Sequence, residues 1–242
     1  MRGPALVLAA VLCAALAGCG GDDGPTTEST DVIVAAAASL TEPLRACAPD
    51  GAKFSFAGSD ELAAQIRKGA KPGVFAAANA TLPRQLYEER LAEQPVEFAT
   101  NELVVATTEN SEIHALDDLA AGAPKLAVGA ETVPVGAYTR QVLSRLDDEQ
   151  RLAIERNIRT EEPDAKGIAG KIRAQAVEAG FVYRTDARAA GLRVVELPRE
   201  VRPTVEYGAQ VVSPSRRAQA FLDSLVSGGC RDALRKAGFG TP

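Results

Sequence analysis

Residues 31–44, D-V-I-V-A-A-A-A-S-L-T-E-P-L, predict a strand that runs directly into a helix. The β-branched residues 32–34 favour a buried strand. Ser39, followed three residues later by Glu42 and then by Pro43, is typical of a helix N-terminus. Backbone N–H groups at such an end lack partners within the helix, so they can bind an anion. A capped helix that binds nothing is the alternative interpretation of this stretch.

The same order of features recurs around Ser59. Residues 53–57 (K-F-S-F-A) alternate like a short strand, and G-S-D-E-L follows at 58–62 as a helix start. In a parallel sheet the carboxyl ends of the strands meet at one edge, and ligands bind at that edge. We therefore expect Ser39 and Ser59 to point toward one shared binding site.

Strand-like and helix-like segments alternate along the rest of the chain, which predicts an α/β fold with mostly parallel sheets flanked by helices. Two long strand-like segments, at 96–108 and 201–212, bracket the middle third. They predict two crossovers between two lobes, one of residues 31–105 with 208–242 and the other of residues 106–207. The ligand would bind in the cleft between the lobes, which would close by a hinge motion.

The N-terminus has the features of an export signal. Met1-Arg2 is followed by an apolar run that ends in L-A-G-C at 16–19. This resembles a bacterial lipoprotein signal with its lipobox, which implies removal of residues 1–18 and attachment of lipid to Cys19. The polar residues 19–30 would form a flexible tether, and the domain would be exported and lipid-anchored to the outer face of the cell membrane. An ordinary secretory signal is the alternative.

Charge and composition exclude several classes of function. Lys and Arg number 27 against 32 Asp and Glu, a net charge of −5 without a basic cluster, so nucleic-acid binding is not expected. His114, the only histidine, lies where a polar turn leads into a helix predicted at 113–120, and we expect it at the surface. The chain has no Cys/His cluster with metal-ligand spacing and no G-x-S-x-G nucleophile elbow.

These exclusions predict a binding protein rather than an enzyme. A serine hydrolase that uses Ser39 or Ser59 is an alternative, but neither serine has a plausible histidine partner. A lipoprotein with only a structural or interaction role is a third interpretation, and it leaves the two strand–serine–helix junctions unexplained.

Two cysteines, Cys47 and Cys230, remain once the signal and the lipidation site are set aside. In an exported domain they could form a disulfide between the first helix and the C-terminal helical region. The two ends of the domain would then be neighbours. Two buried free thiols are the alternative.

Five segments of the chain carry a family resemblance. They are A-A-A-S-L-T (36–41), F-A-G-S-D-E-L-A-A-Q-I-R-K-G-A (56–70), V-F-A-A-A-N (74–79), L-A-V-G-A-E-T-V-P-V-G-A-Y-T-R-Q-V-L (126–143) and G-F-V-Y-R-T-D-A (180–187). In this order and spacing they resemble the periplasmic molybdate-binding proteins of ABC importers, the ModA family. The resemblance implies the two-lobed type II periplasmic-binding-protein fold, with the ligand in the interlobe cleft.

The resemblance also implies a site for a tetrahedral oxyanion, molybdate or tungstate. Ser39 and Ser59 would donate hydrogen bonds through hydroxyl and backbone N–H. Val135 and Ala165 would donate through backbone N–H, and Tyr183 would donate through its hydroxyl. The family further implies an ABC permease as partner, a monomer, and neither a cofactor nor a bare metal ion. Sulfate or another small oxyanion is the alternative ligand.

The chemistry of this donor set is consistent with an acidic chain. Molybdate near neutral pH is a dianion that only accepts hydrogen bonds, so neutral N–H and O–H donors satisfy it without Arg or Lys. Such a site disfavours protonated oxyanions, because their O–H would find no acceptor. One departure from the family is Asp60-Glu61, where many relatives carry serine or glycine. We expect both carboxylates to turn away from the cleft.

Overall fold

The computed structural model describes residues 31–242. The predicted signal peptide (1–18), the lipidation site Cys19 and the tether (19–30) lie outside the described residues. The described strands are β1 (Val32–Ala37), β2 (Ala52–Ala57), β3 (Val74–Ala77), β4 (Val96–Asn101), β5 (Leu103–Thr107), β6 (Leu126–Gly129), β7 (Ile158–Glu162), β8 (Ala179–Tyr183), β9 (Arg193–Val195) and β10 (Val205–Val211).

The described helices are α1 (Thr41–Ala46), α2 (Ser59–Arg67), α3 (Thr81–Glu88), α4 (Asp118–Ala121), α5 (Pro134–Leu143), α6 (Asp148–Asn157), α7 (Ala165–Arg173), α8 (Arg184–Ala189), α9 (Arg216–Ser227) and α10 (Gly229–Ala237). A 3-10 turn covers Ala38–Leu40, between β1 and α1. Between residues 31 and 242, no helix is both long and apolar enough to cross a membrane.

The strands form two five-stranded sheets with the same plan, in the orders β2-β1-β3-β10-β4 and β7-β6-β8-β5-β9. β10 is antiparallel to both of its neighbours, and so is β5. The remaining pairings are parallel. Each sheet therefore has one reversed strand among strands of a common direction, and the predicted α/β fold with mostly parallel sheets is confirmed. We name the first sheet with α1–α3, α9 and α10 the first lobe, and the second sheet with α4–α8 the second lobe.

The chain passes between the sheets at two places. β4 ends at Asn101 in the first sheet, and β5 begins at Leu103 in the second. The Asn101 Oδ1 accepts a hydrogen bond from the Glu102 N–H (2.9 Å) at this break. The return lies between β9 and β10. The predicted boundaries at 105/106 and 207/208 therefore fall inside β5 and β10. The strand-like segments at 96–108 and 201–212 extend beyond each crossover, so they locate it only to within a few residues.

The helix predicted at 113–120 is shorter than expected, since only α4 is helical. The Asp118 carboxylate accepts hydrogen bonds from the backbone N–H groups of His114 (2.7 Å) and Ala115 (2.9 Å). These bonds hold the preceding residues in a turn and lower the pKa of Asp118. The His114 side chain is exposed, so its predicted position at the surface is confirmed.

Cys47 and Cys230 form a disulfide, with their Cα atoms 5.0 Å apart and a sequence separation of 183 residues. Cys47 directly follows α1, and Cys230 lies in the first turn of α10. These two helices pack together. The disulfide therefore joins the two ends of the described chain within the first lobe.

Candidate functional site

The carboxyl ends of parallel strands from both lobes surround one small cavity. Its volume is about 20 Å³. The lining residues end or follow β1, β2 and β3 in the first lobe and β6, β7 and β8 in the second. They are Ala37, Ala38, Ser39, Ala57, Gly58, Ser59, Ala78, Val133, Pro134, Val135, Pro163, Asp164, Ala165 and Tyr183. All five predicted site residues belong to this lining, and none is more than 6% exposed.

Three helices begin at the cavity. α2 begins at Ser59, α5 at Pro134 and α7 at Ala165. Their first N–H groups lack partners within the helix, and the aligned peptide dipoles place positive potential at these ends. The Asp164 carboxylate accepts from the Gly167 N–H (2.8 Å), so Asp164 caps α7 and leaves the Ala165 N–H uncapped. The cavity is therefore suited to an anion.

Ser39 lies in the 3-10 turn, and its hydroxyl caps no helix. Its Oγ is instead 3.0 Å from the Tyr207 hydroxyl oxygen, in the strand that returns from the second lobe. The cap predicted at Ser39 is therefore wrong. The chain enters α1 through the 3-10 turn, where Thr41 Oγ1 donates to the Ala38 carbonyl (2.6 Å), so α1 begins after Leu40 rather than after the serine.

Ser59 is the first residue of α2, and its Oγ accepts a hydrogen bond from the Ala78 N–H (3.0 Å). This bond links the carboxyl ends of two strands of the first sheet. A hydroxyl that accepts from the protein still has its own proton to donate. Ser59 lines the cavity, so this proton is available to a partner there.

Tyr183 ends β8 and is 2% exposed. Its hydroxyl has no hydrogen-bond partner among the described residues. Burial raises its pKa well above the usual value, and the neighbouring Tyr207, Tyr138 and Asp186 raise it further. The hydroxyl therefore stays protonated near neutral pH. A buried donor without a partner costs free energy unless something binds it, so this hydroxyl is itself evidence for a ligand.

Two glycines allow the backbone to approach closely around the cavity. A Cβ added to Gly58 would lie 2.7 Å from the Pro163 carbonyl oxygen, which belongs to the opposite lobe. A Cβ added to Gly136 would lie 1.8 Å from the Ala130 carbonyl oxygen. The first glycine lets the lobes meet beside Ser59, and the second lets α5 begin against the end of β6. Side chains at these positions would move the N–H groups away from the cavity.

Polar contacts also connect the lobes around the cavity. The Lys166 ammonium pairs with the Glu42 carboxylate (2.6 Å), and Thr132 Oγ1 donates to Asp60 Oδ2 (3.3 Å). Glu61 is exposed and accepts from Gln65 on its own helix. The expectation that both carboxylates turn away from the cleft therefore holds for Glu61 and is wrong for Asp60, which crosses the cleft. Neither carboxylate lines the cavity.

The lining contains no lysine or arginine. Its carboxylate, Asp164, is occupied by the cap at α7. Any attraction for an anion must come from neutral N–H and O–H groups. Within residues 31–242, no group of His, Cys, Asp and Glu could hold a metal ion.

Two residues near the site were not predicted from the sequence. Tyr207, which bonds Ser39, lies in a strand that carries no motif. Asp186, in the first turn of α8, is 5% exposed and its Oδ2 has no partner among the described residues. The sequence around it, R-T-D-A, indicates only an acidic residue in a first helical turn. No local signal distinguishes either residue.

Two α/β lobes that enclose a small, donor-lined cavity define a binding protein with its ligand between the lobes. The chain belongs to the bacterial extracellular solute-binding protein family, whose model matches residues 32–240. Membership of this family indicates a solute-binding protein that serves transport rather than an enzyme.

Individual relatives agree with this assignment. The molybdate-binding protein ModA of Mycobacterium tuberculosis H37Rv is 29% identical over 258 residues, covering 98% of this chain and 97% of the relative. The periplasmic molybdate-binding protein of Azotobacter vinelandii has a similar fold, with a TM-score of 0.76, 18% identity, and coverage of 88% of this chain and 100% of that one. The sulfate-binding protein SubI of M. tuberculosis H37Rv has a TM-score of 0.71 at 14% identity, covering 87% of this chain and 86% of that one.

Proposed function

We propose that this chain captures molybdate outside the cell membrane and delivers it to the permease of an ABC importer. The observation that carries the proposal is the cavity between the lobes, whose lining offers neutral hydrogen-bond donors and no cationic side chain. A dianion that only accepts hydrogen bonds matches such a donor set. The relative named for molybdate binding supports the same ligand.

In this proposal each lobe supplies donors to a different part of the tetrahedral oxyanion. Ser39 and Ser59 donate from the first lobe. The N–H groups of Val135 and Ala165 donate from the second, together with the Tyr183 hydroxyl. The ligand would therefore bridge the lobes and favour the closed arrangement. We propose a hinge at the two sheet crossovers, with lobes close to the predicted residues 31–105 with 208–242 and 106–207.

We further propose the cellular arrangement that the N-terminal sequence implies. The mature chain would carry lipid on Cys19 and be joined to the membrane by residues 19–30, with the domain on the outer face. It would act as a monomer and bind tungstate as well as molybdate, without a cofactor.

Calorimetry of the domain without its tether tests the ligand. We expect molybdate and tungstate to bind tightly, sulfate more weakly and phosphate least. Phosphate carries an O–H near neutral pH, for which a donor-lined cavity has no acceptor. Sulfate remains the alternative ligand because SubI shares the fold at a TM-score of 0.71. Sulfate binding as tight as molybdate binding would overturn the ligand assignment.

Tyr183→Phe separates ligand binding from folding. The change removes a buried hydroxyl that has no protein partner, so the melting temperature of the ligand-free protein should be unchanged or higher. Molybdate affinity should fall by roughly 1.5–3 kcal/mol, the cost of losing a hydrogen bond to a charged group. Thermal unfolding and calorimetry measure the two effects. Tyr87→Phe, at a tyrosine that is 46% exposed, is the control and should change neither.

A further inference from the structure

Tyr207 lies behind the binding cavity, where its hydroxyl meets Ser39 and its ring packs on Tyr183. It is 0% exposed and does not belong to the cavity lining, but its hydroxyl oxygen lies 3.0 Å from Ser39 Oγ. Its ring packs edge-to-face on Phe98, Tyr183 and Phe239. Burial raises its pKa well above the usual value, so the hydroxyl keeps its proton. A buried hydroxyl proton needs an acceptor oxygen nearby.

Asn101 limits which atoms can accept the Tyr207 proton. Its Oδ1 accepts from the Glu102 N–H (2.9 Å), so its Nδ2 is the group that faces Tyr207. Nδ2 lies 2.8 Å from Thr185 Oγ1 and 3.4 Å from the Tyr207 hydroxyl oxygen, and it can only donate. The Tyr207 oxygen therefore accepts from Asn101, and Ser39 Oγ is the acceptor that remains for the tyrosine proton.

We propose that Tyr207 is a positioning residue that holds Ser39 as a hydrogen-bond donor and so makes the site selective for fully deprotonated oxyanions. The inference rests on the proposed oxyanion-binding function. With Ser39 Oγ accepting from Tyr207, its own proton is left for the ligand. The Ala78 N–H holds Ser59 in the same way (3.0 Å). Both serines then present protons to the cavity, and an O–H on the ligand meets donors instead of an acceptor.

Tyr207→Phe tests this role because it keeps the packed ring and removes only the hydroxyl. Ser39 is then free to rotate and to accept from a ligand O–H. We expect the affinity for molybdate and for sulfate to fall about tenfold, within the range for a weakened hydrogen bond to a charged group. The affinity for hydrogen phosphate, measured by displacement of molybdate, should fall much less. The ratio of sulfate to hydrogen phosphate affinity is the diagnostic quantity, because the two anions are similar in size and differ in one O–H.

A double-mutant cycle shows whether Tyr207 acts through the serine. In a Ser39→Ala background, Tyr207→Phe should cause no further loss of molybdate affinity. Tyr138→Phe is the matched control, because Tyr138 belongs to the same aromatic cluster and its hydroxyl faces the Glu206 backbone. It should leave the sulfate to hydrogen phosphate ratio unchanged.

The outcomes separate this inference from the proposed function. If the unmodified protein binds no oxyanion, both fail. If it binds molybdate but Tyr207→Phe lowers sulfate and hydrogen phosphate affinity equally, Tyr207 is only structural and this inference alone fails. Should Tyr207→Phe not fold, Asn101→Asp replaces the amide donor with an acceptor that draws the Tyr207 proton away from Ser39. The same fall in the sulfate to hydrogen phosphate ratio is then expected, and an unchanged ratio overturns the inference.

Discussion

A variant that lacks the hydroxyls of both Ser39 and Ser59 is expected to bind molybdate roughly 100- to 10,000-fold more weakly than the unmodified protein. Each hydroxyl contributes one hydrogen bond to a charged ligand, worth about 1.5–3 kcal/mol. Two such losses correspond to about 3–6 kcal/mol, and each 1.4 kcal/mol is a factor of ten in affinity. Calorimetry on Ser39→Ala, Ser59→Ala and the double variant measures the loss. The single losses need not add, because both hydroxyls contact one ligand.

Stability must be measured alongside affinity, because Ser59 also has a structural partner. Its removal leaves the buried Ala78 N–H without an acceptor, at a cost of about 1–3 kcal/mol of folding free energy. The control is a double variant at Ser144 and Ser227, two exposed serines whose hydroxyls bond carbonyls of their own helices. It should bind molybdate normally. A folded Ser39→Ala/Ser59→Ala protein with undiminished affinity would remove both serines from the site.

The fold class could be predicted from the sequence because the sequence pattern of its first strand is unusually clear. β1 was predicted from Val32–Val34, and it lies between β2 and β3, parallel to both. The alternation that follows predicts the α/β class. The segment at 96–108 predicts a crossover between the lobes but not its position at Glu102, since β4 and β5 both lie within that one strand-like segment. The side chain of Asn101, not hydrophobicity, accompanies the break there.

The sequence could predict those site residues that lie at or next to strand ends. Ser39, Ser59 and Tyr183 follow or end strands, and parallel topology alone brings such positions to one edge. Val135 and Ala165 act through backbone N–H groups, so their identity carries no information, and only the family resemblance indicated them. The role of Tyr207 could not be predicted from the sequence, because its partner Ser39 is 168 residues away in sequence. A pairing of that range leaves no local pattern.

Asp186→Asn is expected to stabilise the ligand-free protein above about pH 7, by an amount on the order of 4 kcal/mol. Asp186 is 5% exposed, and burial raises its pKa from 3.8 to about 7. The Lys166 ammonium opposes this shift, while the Glu42 and Asp164 carboxylates add to it. A shift of one pKa unit corresponds to about 1.4 kcal/mol between the two protonation states, which gives the expected size. An asparagine imitates the neutral form at every pH.

The sign of the effect follows from the direction of the shift. Because the folded protein holds the Asp186 proton more tightly than the unfolded chain does, the contribution to stability is complete below about pH 4. It is lost as the pH rises toward about 7 and is constant above that value. Urea unfolding of the ligand-free protein between about pH 5 and pH 8 should therefore show a declining stability that is much weaker in Asp186→Asn.

Asp50→Asn is the matched control, because Asp50 lies exposed in the turn before β2. It should reproduce the pH dependence of the unmodified protein. The same titration bears on the ligand, because the Asp186 charge acts on the Tyr183 hydroxyl at the cavity. Ionisation of Asp186 adds a negative charge near a dianion, so molybdate affinity should weaken between about pH 6 and pH 8 and do so less in Asp186→Asn. If the unmodified protein and Asp186→Asn lose stability equally between about pH 5 and pH 8, Asp186 is already ionised in the folded protein. The charge near the cavity is then permanent rather than titratable.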